Sequence, residues 1–280
     1  MSANQQQSEA WNGPESAHYV DHADRYDHQL TPFADALLDA AMLDPGHAVL
    51  DVGCGSGATA LAAAGVARRV LGIDLSRPLL DLATSRARAA SRPNAEFMVA
   101  DAQTHDFAPN EFDTLISQFG VMFFDDPVAA FTNLRQTLVP GGRSVFVSWQ
   151  GLEANEWLMS VARALERHGR LPQLGGRANG PGMFALENPD EIRALLAAAG
   201  FTGIEIAPID ATIVVGGGGT LDDSFEFLLG TGIVRGLLSS VPAESRDEAT
   251  ATIRLALEAH YEPGTGVSLG AAGWLVASTT

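Results

Sequence analysis

Hydrophobic and polar positions change rhythm along this chain. From residue 48 onward, short apolar runs alternate with longer amphipathic stretches. The runs at 48–52, 70–73, 95–100, 112–117 and 143–149 are too short for core helices, and a Gly or Asp follows each within three residues, so they are expected as buried strands. Between them, 56–68, 76–90 and 126–138 carry helical spacing. Ser76 and Asp126 stand as caps, with Pro78 and Pro127 in the first turn. Strands alternating with helices predict a parallel sheet covered on both faces.

The flanks are less regular. Residues 1–10 are polar and are expected as a disordered tail. In 15–30, Tyr19, His22, Ala23 and Tyr26 fall at i, i+3, i+4 and i+7, one face of a helix. A second helix is expected over 32–43, ended by Asp44-Pro45-Gly46. Beyond the fifth strand, 155–168 reads as helix and 169–187 as a Gly- and Pro-rich loop. Asn188-Pro189-Asp190-Glu191 opens a helix with Ile192, Leu195, Leu196 and Ala199 as its apolar face. A strand over 204–215, helical residues over 221–260 with a break at Val241-Pro242, and a last strand over 267–278 complete the chain. Gly216 to Gly219 form a joint before the helical part.

Composition narrows the chemistry. All 17 basic residues are Arg, against 34 acidic ones, for a net charge of −17. Without Lys there is no Schiff base and no complete Walker A loop. One cysteine, Cys54, allows no intrachain disulfide and no Cys-rich zinc site. The acidic excess opposes nucleic acid and anionic lipid surfaces as partners. With 46% hydrophobic residues the chain can bury a sizeable core. No apolar run reaches the ~18 residues of a membrane helix, so no membrane insertion is expected. The N-terminus lacks the charge and apolar stretch of a secretory signal, and a cytoplasmic location is the expectation.

The segment richest in chemistry is Val49-Leu50-Asp51-Val52-Gly53-Cys54-Gly55-Ser56-Gly57, a strand running through three glycines into a helix. Missing Cβ atoms let the backbone turn tightly and let a ligand touch it. The helix N-terminus beyond offers free N–H groups. Asp74 ends the second strand and Asp101 follows the third; in a parallel sheet these positions share one rim with the glycine loop. Gly53, Gly55 and Ala58 also satisfy the dinucleotide fingerprint, which keeps an NAD(P)-dependent oxidoreductase open. Asp51 weighs against it, since a pyrophosphate would meet an extra negative charge. A phosphate-free nucleoside bearing a positive group fits better.

The stretches VLDVGCGSG, GIDLS, ADAQ, FDTLISQFGVMFF and LRQTLVPGGR, in order from 49 to 143, resemble the class I S-adenosylmethionine-dependent methyltransferases. Within them they resemble the small-molecule branch that includes the ubiquinone/menaquinone-biosynthesis type. Trp11-Asn12-Gly13-Pro14 resembles a bacterial subfamily of that group. The resemblance implies an α/β, Rossmann-like fold with a seven-stranded, mostly parallel sheet of order 3-2-1-4-5-7-6, strand seven antiparallel, and helices on both faces. It implies a tail and helical lid over 1–44 and a methyltransferase domain over 45–280, in which 216–262 is a helical insertion over the substrate cleft.

The resemblance also implies S-adenosylmethionine as cofactor, leaving as S-adenosylhomocysteine. Gly53 and Gly55 would pass close to its methionine part, and Asp51 would help hold its ammonium, directly or through water. Asp74 would bind the ribose hydroxyls and Leu75 would pack on the adenine. Asp101 and the Ala102 N–H would pair with the adenine edge. Ser117 would contact the methionine part through its backbone, and Tyr26 would reach the cofactor from the lid. The implied activity is methyl transfer to an O, N or C nucleophile of a small molecule, such as a quinone-type or secondary-metabolite acceptor. A related alternative keeps the cofactor but performs non-methylating chemistry.

No catalytic base is designated; His22, Tyr26 and His168 are open candidates. Cys54 is expected as a packed residue. His18 and His22 have metal-compatible spacing without further ligands, so no metal is expected. Phe119, Met122, Phe123 and Phe124 divide between core and substrate wall, and Trp149 and Trp157 have either place open. The oligomeric state is open, a homodimer included.

Overall fold

The computed structural model describes residues 4–169 and 180–280. Three helices come first: α1 (Gln5–Trp11), α2 (Pro14–Asp21) and α3 (Ala23–Ala41). The sheet domain continues with β1 (Ala48–Val52), α4 (Ala58–Ala63), β2 (Arg69–Asp74), α5 (Arg77–Ala89), β3 (Ala95–Val99), β4 (Phe112–Gln118), α6 (Pro127–Thr137) and β5 (Leu138–Trp149). Then come α7 (Glu156–Glu166), α8 (Pro189–Ala198), β6 (Thr202–Val214), α9 (Leu221–Gly230), α10 (Gly232–Ser239), α11 (Arg246–Glu258), β7 (Tyr261–Glu262) and β8 (Gly266–Thr279).

The sheet runs β3-β2-β1-β4-β5-β8-β6. Strands β3 to β5 are mutually parallel, and β8 is antiparallel to both its neighbours. This is the order implied by the resemblance, with one addition. The two-residue β7 pairs with the start of β8, so the final strand is the eighth in sequence. β1 is buried along its whole length because strands flank it and helices cover both faces. That is why 48–52 reads as an unbroken apolar run apart from Asp51. The caps read from sequence form: Ser76 accepts from the Leu79 N–H, Asp126 from Ala129 and Asn188 from Asp190.

Two expectations at the N-terminus are overturned. Residues 5–10, expected within a disordered tail, belong to α1; its N-cap residue Asn4 is buried. Tertiary hydrogen bonds, invisible in a polar sequence, supply what local propensity lacks. The break expected between helices near residue 31 lies instead at His22, and Pro32 sits inside α3. A mid-helix proline costs one backbone bond. Burial of Phe33, Leu37 and Ala41 on the same face offsets that loss. Of the loop expected over 169–187, residues 170–179 lie outside the described residues; 180–187 contain no helix or strand. Among the described residues, no helix is long and apolar enough to cross a membrane.

Candidate cofactor and acceptor site

One cavity of about 210 Å³ opens along the rim where β1 to β5 end. Its floor is the glycine loop. Gly53, Gly55 and Gly57 all have positive φ, at 68°, 52° and 86°. At Gly53 a Cβ would stand 2.7 Å from the Cα of Gly120. Backbone meets backbone there, so only glycine fits.

Asp74 and Asp101 flank the loop on the cavity wall. Asp74 accepts the Gly55 N–H through Oδ2 and the Ser76 N–H through Oδ1, both at 2.9 Å. Burial raises its pKa, and the Ser76 and Gly55 bonds oppose the rise. Asp101 Oδ1 accepts from the Gln103 N–H at 2.9 Å and from Asn4 Nδ2 at 2.8 Å. Leu75, Ala102 and Tyr26 also line the cavity.

Asp51 and Ser117 are not among the residues that line the cavity. Asp51 is fully buried inside β1, and its Oδ2 accepts from the Thr59 hydroxyl at 2.6 Å. Thr59, not Asp51, lines the cavity. Asp51 Oδ1 has no hydrogen-bond partner among the described residues. Burial pushes the Asp51 carboxyl up to about 7, against the Thr59 bond. Ser117 lies within β4, and its hydroxyl donates to the Val52 carbonyl at 2.6 Å. The next residues, Gln118, Phe119 and Gly120, take the wall position.

The other half of the cavity is aromatic. Phe119 stacks on Trp149 with centroids 4.0 Å apart and planes 10° apart. Phe119 has a positive φ of 59°, unusual for a large side chain, and the surrounding rings hold it there. Tyr19 and Tyr26 stack at 3.8 Å and 5°, and Trp11 sets its edge against Tyr19 and Phe123. Met122, Phe123 and Phe124 also line this space, whereas Trp157 packs behind Trp149.

Several wall residues escaped sequence reading. Asn4 bridges from Asp101 to the Asp125 N–H, and Asn12 bonds both the Leu75 carbonyl and the Arg77 N–H. Through them α1 lies across the cavity, with Gln7 and Trp11 on its wall. Asp27 lines it too. No local pattern marks Asn4, Gln7 or Asp27; Trp11 and Asn12 belong to the Trp11-Asn12-Gly13-Pro14 stretch, which pointed to no contact.

Of the three candidate bases, only Tyr26 borders the cavity. Its hydroxyl lies 2.9 Å from His18 Nδ1. His168 instead bonds Thr252 Oγ1. Among the described residues no cluster of ligands could hold a metal ion. Cys54 is buried, and burial raises its thiol pKa further, so it is a packed residue rather than a nucleophile.

Residues 49–142 match the family model described as a methyltransferase domain. This segment is thus similar to methyltransferase domains. It contains the glycine loop, Asp74, Asp101 and Phe119. An uncharacterized protein of Mycobacterium tuberculosis is 41% identical over 121 residues, 43% of this chain and 43% of that protein. Aklanonic acid methyltransferase DauC of Streptomyces sp. (strain C5) is 35% identical over 121 residues, 42% of this chain and 55% of DauC. The chain thus spans about half the length of the curated relatives it matches. The crystal structure of YcgJ from Bacillus subtilis shares the fold, with a TM-score of 0.58 at 18% identity over 88% of this chain and 97% of that one. The fold is therefore the Rossmann-like one expected for the motifs.

Proposed function

We propose that this protein transfers a methyl group from S-adenosylmethionine to an oxygen, nitrogen or carbon nucleophile of a small, flat, uncharged acceptor. The reading rests on one observation. Within the methyltransferase domain, a positive-φ glycine loop and two strand-end carboxylates meet at one cavity whose other half is walled by aromatic rings. The bound cofactor supplies a methyl already activated by its sulfonium and leaves as S-adenosylhomocysteine. The chain's residues bind, orient and exclude water. Asp74 accepts from ribose hydroxyls, Asp101 from the adenine amine, and Leu75 packs on the base. The glycine loop lets the backbone approach the methionine part.

Charge supports this over a dinucleotide. The charged residues lining the cavity among the described residues are Asp27, Asp74 and Asp101, with no Arg or His to meet a pyrophosphate. The same inventory, with the Phe119–Trp149 and Tyr19–Tyr26 stacks, favours a planar quinone-type or secondary-metabolite acceptor. The name of DauC, aklanonic acid methyltransferase, supports a small-molecule acceptor. Residues 1–44 serve as lid over a transferase domain of 45–280, with 216–262 on the acceptor side. In support, Arg25 of α3 donates to the carbonyls of Gly216 and Asp223, and Gln29 accepts the Gly216 N–H.

Calorimetric titration with S-adenosylhomocysteine, S-adenosylmethionine and NAD(H) tests the cofactor. Binding of the first two alone is expected; NAD(H) binding alone would overturn the reading. Isotope-labelled methyl should then appear in a planar phenol or quinol from an acceptor library. Turnover that never places label in product would assign non-methylating chemistry instead.

A further inference from the structure

We propose that Asp27, on the lid helix α3, is the carboxylate that receives the ammonium group of the cofactor's methionine part. This rests on the reading that S-adenosylmethionine is the cofactor. Of the cavity-lining carboxylates, Asp74 and Asp101 are taken in that reading by the ribose and the adenine, and backbone N–H donors fix both at the ends of β2 and β3. Asp51 is walled off behind Thr59. Asp27 is the remaining one.

Its position is fixed by Arg86 of α5. A single nitrogen, Nη1, reaches Asp27 Oδ2 at 2.8 Å and Ser56 Oγ at 3.1 Å. Asp27 is thereby held beside Ser56, on the glycine-loop side of the cavity. The other Asp27 oxygen carries no hydrogen bond among the described residues. Arg86 also pairs with Asp24, so one guanidinium faces two carboxylates and the group keeps a net negative charge. Burial raises the Asp27 pKa, and the Arg86 charge and hydrogen bond oppose the rise. An ammonium arriving at the cavity supplies the missing charge and closes the lid onto the loop.

The test pairs ligand and protein changes. S-adenosylhomocysteine is compared with its analogue bearing a hydroxyl in place of the amino group, by calorimetry on wild type, Asp27→Asn and Asp51→Asn. Asparagine keeps an oxygen for Arg86 to bond. A charge-assisted bond gives roughly a tenfold or greater loss when the amine is removed in wild type. In Asp27→Asn that discrimination is expected to shrink to about twofold, while Asp51→Asn retains it. 5′-Methylthioadenosine, which lacks the amino-acid part, should bind wild type and Asp27→Asn equally. Full amine discrimination in Asp27→Asn would overturn the proposal. So would loss of 5′-methylthioadenosine binding, which would mark Asp27 as a brace for the whole site. If wild type binds neither S-adenosylhomocysteine nor 5′-methylthioadenosine, the cofactor reading itself fails.

Discussion

At the scale of single residues, the site depends on groups that tolerate no exchange. Gly53 combines a positive φ with backbone contact to Gly120. Gly53→Ala is expected to lower stability by roughly 1–3 kcal/mol and to abolish cofactor binding. Thermal melting and calorimetry read the two effects. Asp51 gives a pH signature. Its folded-state pKa of about 7 lies above the unfolded value of 3.8, so the folded protein holds the proton longer. Its stabilising contribution is therefore full at acid pH and is lost as pH rises from about 4 to about 7. Asp51→Asn should flatten that part of the stability profile, measured by melting at pH 5 and pH 8. An unchanged slope would show that the carboxyl titrates normally.

At the scale of elements, the N-terminal helices owe their place to tertiary contacts. α1 spans only seven residues with no side-chain cap bond, too little to stand alone. Asn4 and Asn12 pin its two ends to the rim of the cavity. Replacing both by Ala should speed release of S-adenosylhomocysteine several-fold, about 1 kcal/mol in all, and leave the melting temperature almost unchanged. Stopped-flow release measures it; an unaltered rate would free α1 from any gating role. α2 and α3 pack through His18, which stacks near His22 and Phe227 and bonds Tyr26. Burial lowers the His18 pKa to about 4, with the His22 and Arg235 charges adding to it, while the Phe227 backbone and Asp21 oppose. The unfolded ring takes up its proton near 6.5. Stability at this contact is thus complete above 6.5 and drains as pH falls toward 4. Hydrogen exchange in α2 and α3 should accelerate over that window and not in β1. The sequence put Tyr19 and Tyr26 on one helix and the break near Pro32; the break lies at His22, and the two rings stack across it. A proline marks a break only when burial on its helix face is too weak to offset the lost bond.

At the scale of the molecule, a net charge of −17 surrounds a cavity whose described wall carries only negative charge. S-adenosylmethionine bears one net positive charge and S-adenosylhomocysteine none. Raising salt from about 0.05 to 0.5 M should slow association of the first several-fold and leave the second nearly unchanged. Equal salt effects on the two would show that the acidic surface plays no part in capture.

What the sequence determined by itself is whatever follows from local chemistry and period. The run of apolar strands, the caps at Ser76, Asp126 and Asn188, and the glycine loop with Asp74 and Asp101 at neighbouring strand ends were all legible. A strand end places its residue on a known rim once the sheet is parallel. Tertiary structure alone decided depth and cross-chain partnership. Two aspartates, Asp27 and Asp51, look alike in sequence. One lies on the cavity wall held by Arg86, and the other is sealed behind Thr59 inside the central strand. Asn4, remote in sequence, ends up bonded to Asp101. Those outcomes depend on which surfaces pack together, and a linear pattern of polar and apolar positions holds no record of that.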